Sequence, residues 1–216
     1  MRDSGSGAVG VLGGYVAIIS GVMLACTALL YPLTAVLGRT PVREFALGAA
    51  PAQWVAVTTR SSIAALPALI EGARDRMRLP DAATGLVLPL SVSVFKLDVA
   101  AGNVVKLFFL AHVYGVALRP AAVAAFLASI LVLSFSSPGL PSAGSVRTLP
   151  AYLAVGIPIE GVVLVQAVES VPDVFMTLLN VTGDLSAATL LSRRGRAAAV
   201  GAPEPRPDRS AVTTGP

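Results

Sequence analysis

The chain has 216 residues, 55% of them hydrophobic and 13% charged, with a mean hydropathy of +0.77. A soluble domain carries about 25% charged residues, so the composition excludes a water-soluble globule, and equally a disordered, collagenous or disulfide-rich secreted chain. The net charge of +4 does not indicate nucleic acid, because the arginines sit in short loops and the tail rather than along one face with interleaved aromatics.

Taken in chain order, residues 1–14 are glycine-rich with Arg2 as the positive side chain, which is no convincing signal peptide. Gly5, Gly7 and Gly10 match GxGxxG, but without a preceding strand the match is one of chance. Residues 8–37 contain no charge, more than the roughly 20 residues a spanning helix needs. A spanning helix is therefore expected over 8–38, with Cys26 as a small buried hydrophobe and Gly38, Arg39, Thr40 and Pro41 ending it.

The later apolar segments are short and interrupted. Over 45–70 a helical pattern breaks at Thr58, Thr59, Arg60, Ser61 and Ser62, and over 120–157 two apolar arms flank residues 136–144. Both read as re-entrant helical hairpins too short to cross twice. Between them, 85–118 reads as a broken helix interrupted by Lys96, Asp98, Gly102 and Asn103. Residues 159–192 read as a last helix and 193–216 as a disordered, basic cytoplasmic tail. The expected fold is all-α and integral to the membrane, with residues 1–192 as one core. Irregular backbone at membrane depth survives only where protein buries it or it lines a wet cavity. Paired broken segments in two halves of a membrane chain point to a transporter's binding site.

The basic residues Arg39 and Arg43, then Arg74, Arg76 and Arg78, then Arg193, Arg194 and Arg196 predict cytoplasmic ends. They give a multi-pass topology in the cell membrane with a cytoplasmic C-terminus. Intramembrane Arg60, Lys96, Lys106 and Arg147 balance Asp98, Glu169, Asp173 and Asp184, and each needs a partner or water. Asp173, Thr177, Asn180 and Asp184 recur at i, i+4, i+7 and i+11, which is one helix face. Two carboxylates on one stripe favour a cation or amine site over helix–helix glue. Half-helix ends at the hairpin tips suit a zwitterion or a cation. A glycosylation sequon at Asn180 lies inside an apolar segment and is discounted. One Cys and one His, Cys26 and His112, provide no transition-metal site. His112 also lies in an apolar stretch away from both serine-rich tips, so no hydrolase set converges. It is read as a core or interface histidine, and the chain is not read as an enzyme.

These residues resemble the dicarboxylate/amino acid:cation symporter family, the glutamate transporter homologues. The matching stretches are Thr59-Arg60-Ser61-Ser62 with Leu66-Pro67, Leu88-Pro89-Leu90, Pro138-Gly139-Leu140-Pro141-Ser142-Ala143-Gly144, and Asn180-Val181-Thr182-Gly183-Asp184. The resemblance implies an elevator-type transport core in which two hairpin tips, the broken helix and the last helix cradle a small carboxylate or amino acid. It places substrate against Arg60, Ser61, Ser62, Gly139, Leu140, Pro141, Ala143, Gly144, Asp173, Thr177 and Asn180, with Asp173 taking the amino group. It places a coupling cation, sodium or a proton, at Asn180 and Asp184, with Asp98 close by, and needs no other cofactor.

The departures are specific. The family's sodium-liganding Asn and Asp in the broken helix align with Phe95 and Leu97, the arginine that clamps an acidic substrate aligns with Met176, and its helper threonine with Val99. A second substrate carboxylate would meet apolar groups, which argues against glutamate or aspartate as substrate. Lys96 and Arg147 are candidate tethered cations, paired with Asp98 or Asp184. Family carriers also have several earlier helices, so a fragment, or a core that needs a scaffold subunit or a homo-trimer, is expected. The expected function is secondary transport. The alternative is a truncated or degenerate relative that binds ligand or a partner membrane protein without transport.

Overall fold

The computed structural model describes the backbone of residues 2–134 and 143–200, and the side chains of residues 9–134 and 147–192. The described residues are all-helical, forming α1 (Arg2–Leu37), α2 (Val42–Thr59), α3 (Ser62–Glu71), α4 (Leu88–Val94), α5 (Leu97–Tyr114), α6 (Pro120–Ser134), α7 (Ala143–Ala154), α8 (Ile159–Ala167) and α9 (Pro172–Val200). π-Helical turns at Gly72–Arg76 and Ala83–Val87 extend α3 and lead into α4. Among the described residues, three stretches are long and apolar enough to cross a membrane: Val9–Leu37, Ala83–Tyr114 and Pro172–Ser192.

Helix α1 has 36 residues, about 54 Å at the usual rise. It buries one face, Tyr15, Ile19, Met23, Thr27 and Thr34, and exposes Val9, Ile18, Leu29 and Val36 on the other. A helix with polar side chains on its buried face and aliphatic ones outside inverts the soluble pattern and suits hydrocarbon. The glycines Gly5, Gly7 and Gly10 lie within this helix, so they form no phosphate-binding loop. Cys26 is half-buried against the core rather than sealed in it.

Helix α9 is the central pillar, packed by α1, α2, α3, α4 and α5. Thr34 meets Ser186, and Gly38 lies against Thr189, while Tyr15 near the start of α1 reaches Glu169 before the start of α9. Helices α1 and α9 therefore run parallel, and the Gly38–Pro41 turn sits beside Thr189 in the C-terminal half of α9. Helix α2 runs antiparallel to α9, since Gln53 bonds Thr182 while Arg60 reaches Ser170. Two apolar clusters flank the pillar. One joins α1, α5, α6, α7 and α8 around Tyr15, Leu107, Phe126 and Tyr152. The other joins α2, α3 and α4 around Phe45, Leu69 and Leu88. Within the second, the backbones of Gly48 and Gly72 touch, so a Cβ on Gly72 would strike the Gly48 carbonyl.

The elements correct several expectations. Residues 159–192 are two helices, not one: α8 stops at Ala167, the chain turns through Val168–Val171, and α9 restarts at Pro172. Pro172 has no N–H to donate back, which is tolerated at a helix start and not within one. Residues 193–200 are helical rather than disordered, because Arg and Ala extend an already nucleated helix cheaply. The broken helix is interrupted only at Phe95 and Lys96. Asp98, Gly102 and Asn103 lie inside α5, where neighbouring helices take up these small and polar residues. His112 is exposed in the last turn of α5, which removes the core reading of it.

Candidate functional site

The site forms where three chain breaks lie along the N-terminal half of α9. The first break is Arg60–Ser61. Arg60 caps α2 in the left-handed region (φ 54°, ψ 34°), and its N–H bonds the Ala56 carbonyl at 2.8 Å. Ser61 is extended, and its Oγ accepts the Ala64 N–H at 3.2 Å as the N-cap of α3. The Arg60 guanidinium donates to the Ser170 carbonyl at 3.3 Å, just before α9, and lies within Coulombic reach of Asp173. Ser62 is buried behind it.

The second break is the extended step at Phe95 and Lys96, between α4 and α5. A helix start leaves N–H groups without partners, and here α9 supplies one. The Asp98 N–H donates to Asn180 Oδ1 at 3.0 Å, and Asn180 Nδ2 donates back to Asp98 Oδ1 at 2.7 Å. Asp98 also stands in the first turn of α5, where the helix dipole favours an anion. Gly183 of α9 is seated directly on Leu97, leaving no room for a Cβ. The break and the pillar are thus locked by one polar pair and one apolar contact.

The third break is Val168–Val171. Glu169 there forms an ion pair with Lys106 of α5 and accepts the Tyr15 hydroxyl at 3.2 Å. One turn along α5, Asn103 accepts the Tyr152 hydroxyl at 2.8 Å through its side-chain oxygen. A neighbouring network on the opposite side of α9 joins Tyr31 and Gln53 at 2.9 Å and Gln53 to Thr182 at 2.8 Å.

On α9 itself, Thr177 and Asn180 are 5% exposed and Asp184 is 0% exposed, whereas Asp173 is half-buried at the open end of the stripe. Thr177 returns its hydroxyl to the Asp173 carbonyl at 2.8 Å. Both carboxylate oxygens of Asp184 are buried without a hydrogen-bond partner among the described residues. The Ser91 hydroxyl stands beside them but donates to the Leu88 carbonyl at 3.1 Å. An isolated buried charge costs several kcal/mol, so a carboxylate at this position requires a compensating cation or a bound proton. Lys96, 7% exposed, lies within Coulombic reach of both Asp184 and Asp98, without a direct ion pair to either.

The structure therefore brings together Arg60, Ser61, Ser62, Lys96, Asp98, Asp173, Thr177, Asn180 and Asp184 around the first two breaks and α9. Arg147 is half-buried on α7, which packs on α6 and α8. Gly139, Leu140 and Pro141 lie outside the described residues, and Ala143 and Gly144 open α7. Sequence reasoning missed Tyr15, Tyr31, Gln53 and Tyr152. The available signal was a polar side chain flanked by apolar residues within a helix, since such groups need partners in hydrocarbon. Among the described residues, no group of three His, Cys, Asp or Glu could hold a metal ion.

Comparison with known proteins places this arrangement. The chain is 31% identical over 174 residues to excitatory amino acid transporter 3 of Mus musculus, covering 80% of this chain and 33% of that protein. It is 30% identical over 140 residues to the proton/sodium-glutamate symport protein of Geobacillus stearothermophilus, covering 64% of this chain and 33% of that one. An excitatory amino acid transporter of Caenorhabditis elegans is 30% identical over 145 residues, 67% of this chain and 29% of the relative. The chain thus spans about a third of the length of these curated relatives. The Sodium:dicarboxylate symporter family profile matches residues 1–194, which takes in every break and the whole polar stripe of α9. With its helices apolar outside and polar against the pillar, the chain belongs to the sodium:dicarboxylate symporter family of membrane transporters.

Proposed function

We propose that this chain is the substrate-carrying core of a cation-coupled secondary transporter in the cell membrane, and that it moves a small neutral amino acid or monocarboxylate. The observation that carries this reading is the polar stripe of α9 facing the Phe95–Lys96 break, with Asn180 holding Asp98. Broken backbone beside buried carboxylates is the arrangement by which membrane proteins hold polar cargo away from lipid.

The short helices support a re-entrant reading. Helix α3 with its π-helical extension Gly72–Arg76 is 15 residues, about 22 Å, against about 30 Å of hydrocarbon. In this reading α2 and α3 form a hairpin dipping from the cytoplasmic side, with α6 and α7 as its counterpart from outside. The turn after α1 and the C-terminal end of α9 mark the cytoplasmic end, where Arg39 and Arg43 cluster. Arg60, Ser61 and Ser62 would hold the cargo carboxylate, and Asp173, Thr177 and Asn180 its amino end. An elevator-type core moves against a scaffold, supplied here by another subunit or by symmetric copies of a longer chain.

Met176 and Val99 line the region where an acidic side chain would project, and neither pairs a carboxylate. Neutral cargo is therefore preferred over glutamate or aspartate. The test is a thermal-unfolding screen of the purified full chain with amino acids, monocarboxylates and dicarboxylates, followed by uptake into proteoliposomes. Stabilisation by a neutral amino acid, lost in Asp173→Asn while the variant remains folded, is expected. Failure of every such ligand to stabilise the chain, together with absent uptake, overturns the reading.

A further inference from the structure

Lys96 is placed against the electrostatics of its own helix. It occupies the N-cap of α5 in extended backbone (φ −127°, ψ 94°), where unpaired N–H groups and the helix dipole disfavour a cation. It offers no capping oxygen to the first turn, and Asn180 of α9 performs that task instead. Its side chain is nevertheless buried, only 7% exposed, so a compensating interaction has to hold it there.

The two carboxylates near it differ in what else they have. Asp98 is balanced by the first turn of α5 and by the Asn180 amide at 2.7 Å. Asp184 is fully buried and has no hydrogen bond to either oxygen among the described residues. The flanking residues Phe95 and Leu97 bring no side-chain oxygen to the break, and the Asn180 oxygen beside it already accepts the Asp98 N–H, so a metal cation entering here would compete for oxygens that are engaged.

We propose that the Lys96 ammonium is a built-in cation for this site, supplying to Asp184 the positive charge that a bound alkali cation would otherwise supply. The consequence is that the site is closed and charge-balanced without sodium. The inference rests on reading this region as the transport site, and it concerns the cation rather than the cargo.

The test uses the full chain in detergent or nanodiscs and reads the unfolding temperature in sodium chloride against choline chloride at equal ionic strength. The wild-type chain is expected to show no sodium-specific shift. Lys96→Met leaves Asp184 without its cation, so this variant is expected to gain a sodium-specific rise that Lys96→Met/Asp184→Asn lacks. Should Lys96→Met fail to fold, the same double variant decides the question. It is expected to unfold at a higher temperature than Asp184→Asn alone, because removing both charges leaves neither stranded. A sodium-specific rise in the wild-type chain that Asp184→Asn abolishes overturns the proposal, as do strictly additive losses in the two variants. Failure of the transport reading appears separately, as absent stabilisation by organic ligands, and leaves the salt comparison unchanged.

Discussion

Asn180 and Asp98 exchange two hydrogen bonds across the gap between α9 and α5. The Asp98 N–H reaches Asn180 Oδ1 at 3.0 Å, and Asn180 Nδ2 reaches Asp98 Oδ1 at 2.7 Å. One side chain of the pillar therefore acts as the missing cap of the helix beyond the break, and it also holds the carboxylate that the cap region attracts. Break and pillar are coupled through this pair.

Replacing Asn180 with Val keeps much of the volume and removes both bonds, one of them to a charged group. The expected loss is about 2–4 kcal/mol, because Asp98 is left without its amide and the α5 N–H without its acceptor. Asn180→Asp is expected to be worse, since it sets a second carboxylate against Asp98. Thermal unfolding in one detergent checks both. An unchanged midpoint for Asn180→Val would mean that the pair does not hold the break.

The Lys106–Glu169 ion pair ties the middle of α5 to the turn before α9, with the Tyr15 hydroxyl as a third member. Removing one partner of a buried pair costs about 3–5 kcal/mol, whereas removing both charges together is often close to neutral. Lys106→Met and Glu169→Gln should each be strongly destabilising. The double variant keeps an amide oxygen that still accepts from Tyr15, and it should recover most of the loss. A double-mutant cycle showing no coupling would refute the pairing.

Two glycine-to-alanine substitutions should move stability in opposite directions. Gly72 meets the Gly48 carbonyl backbone to backbone, so Gly72→Ala forces α2 and the turn after α3 apart, a loss of about 1–3 kcal/mol. Gly21 lies within α1 with nothing within 4 Å of a Cβ, so Gly21→Ala should gain up to about 1 kcal/mol. Unfolding midpoints shifted in the same direction would contradict this packing.

How much of this is legible in the sequence depends on the range of the interaction. The uncharged run of α1 and the i, i+4, i+7, i+11 stripe of α9 are local patterns, and both appear as helices in the structure. The step at Phe95 and Lys96 is visible only as part of a wider interruption, because Asp98 and Asn103 resemble breakers until their partners Asn180 and Tyr152 are seen. Those partners lie 82 and 49 residues away, beyond any periodicity. The split of residues 159–192 at Pro172 is legible from the proline alone, although the flanking apolar residues conceal it. The Tyr31–Gln53–Thr182 network shows in the sequence only as isolated polar side chains, since none of the three occupies a recognisable spacing.

Met176 provides the sharpest test of cargo preference. It stands on α9 between Asp173 and Thr177, half-buried, with its terminal methyl against Gly102 of α5. In the proposed reading, a cargo carboxylate projecting here meets the Met176 thioether and Val99, and an unpaired buried anion is strongly disfavoured. Met176→Arg, alone or with Val99→Thr, supplies a forked donor that matches a carboxylate. A charged hydrogen bond of about 1.5–3 kcal/mol corresponds to roughly a tenfold to hundredfold gain in affinity for aspartate or glutamate. Neutral amino acids should lose affinity in the same variants, because the guanidinium would then be left unpaired. Calorimetric titration of wild-type and variant chains with aspartate and with a neutral amino acid measures both changes. If the arginine variants stay folded and the ratio of the two affinities does not move, Met176 does not face the cargo.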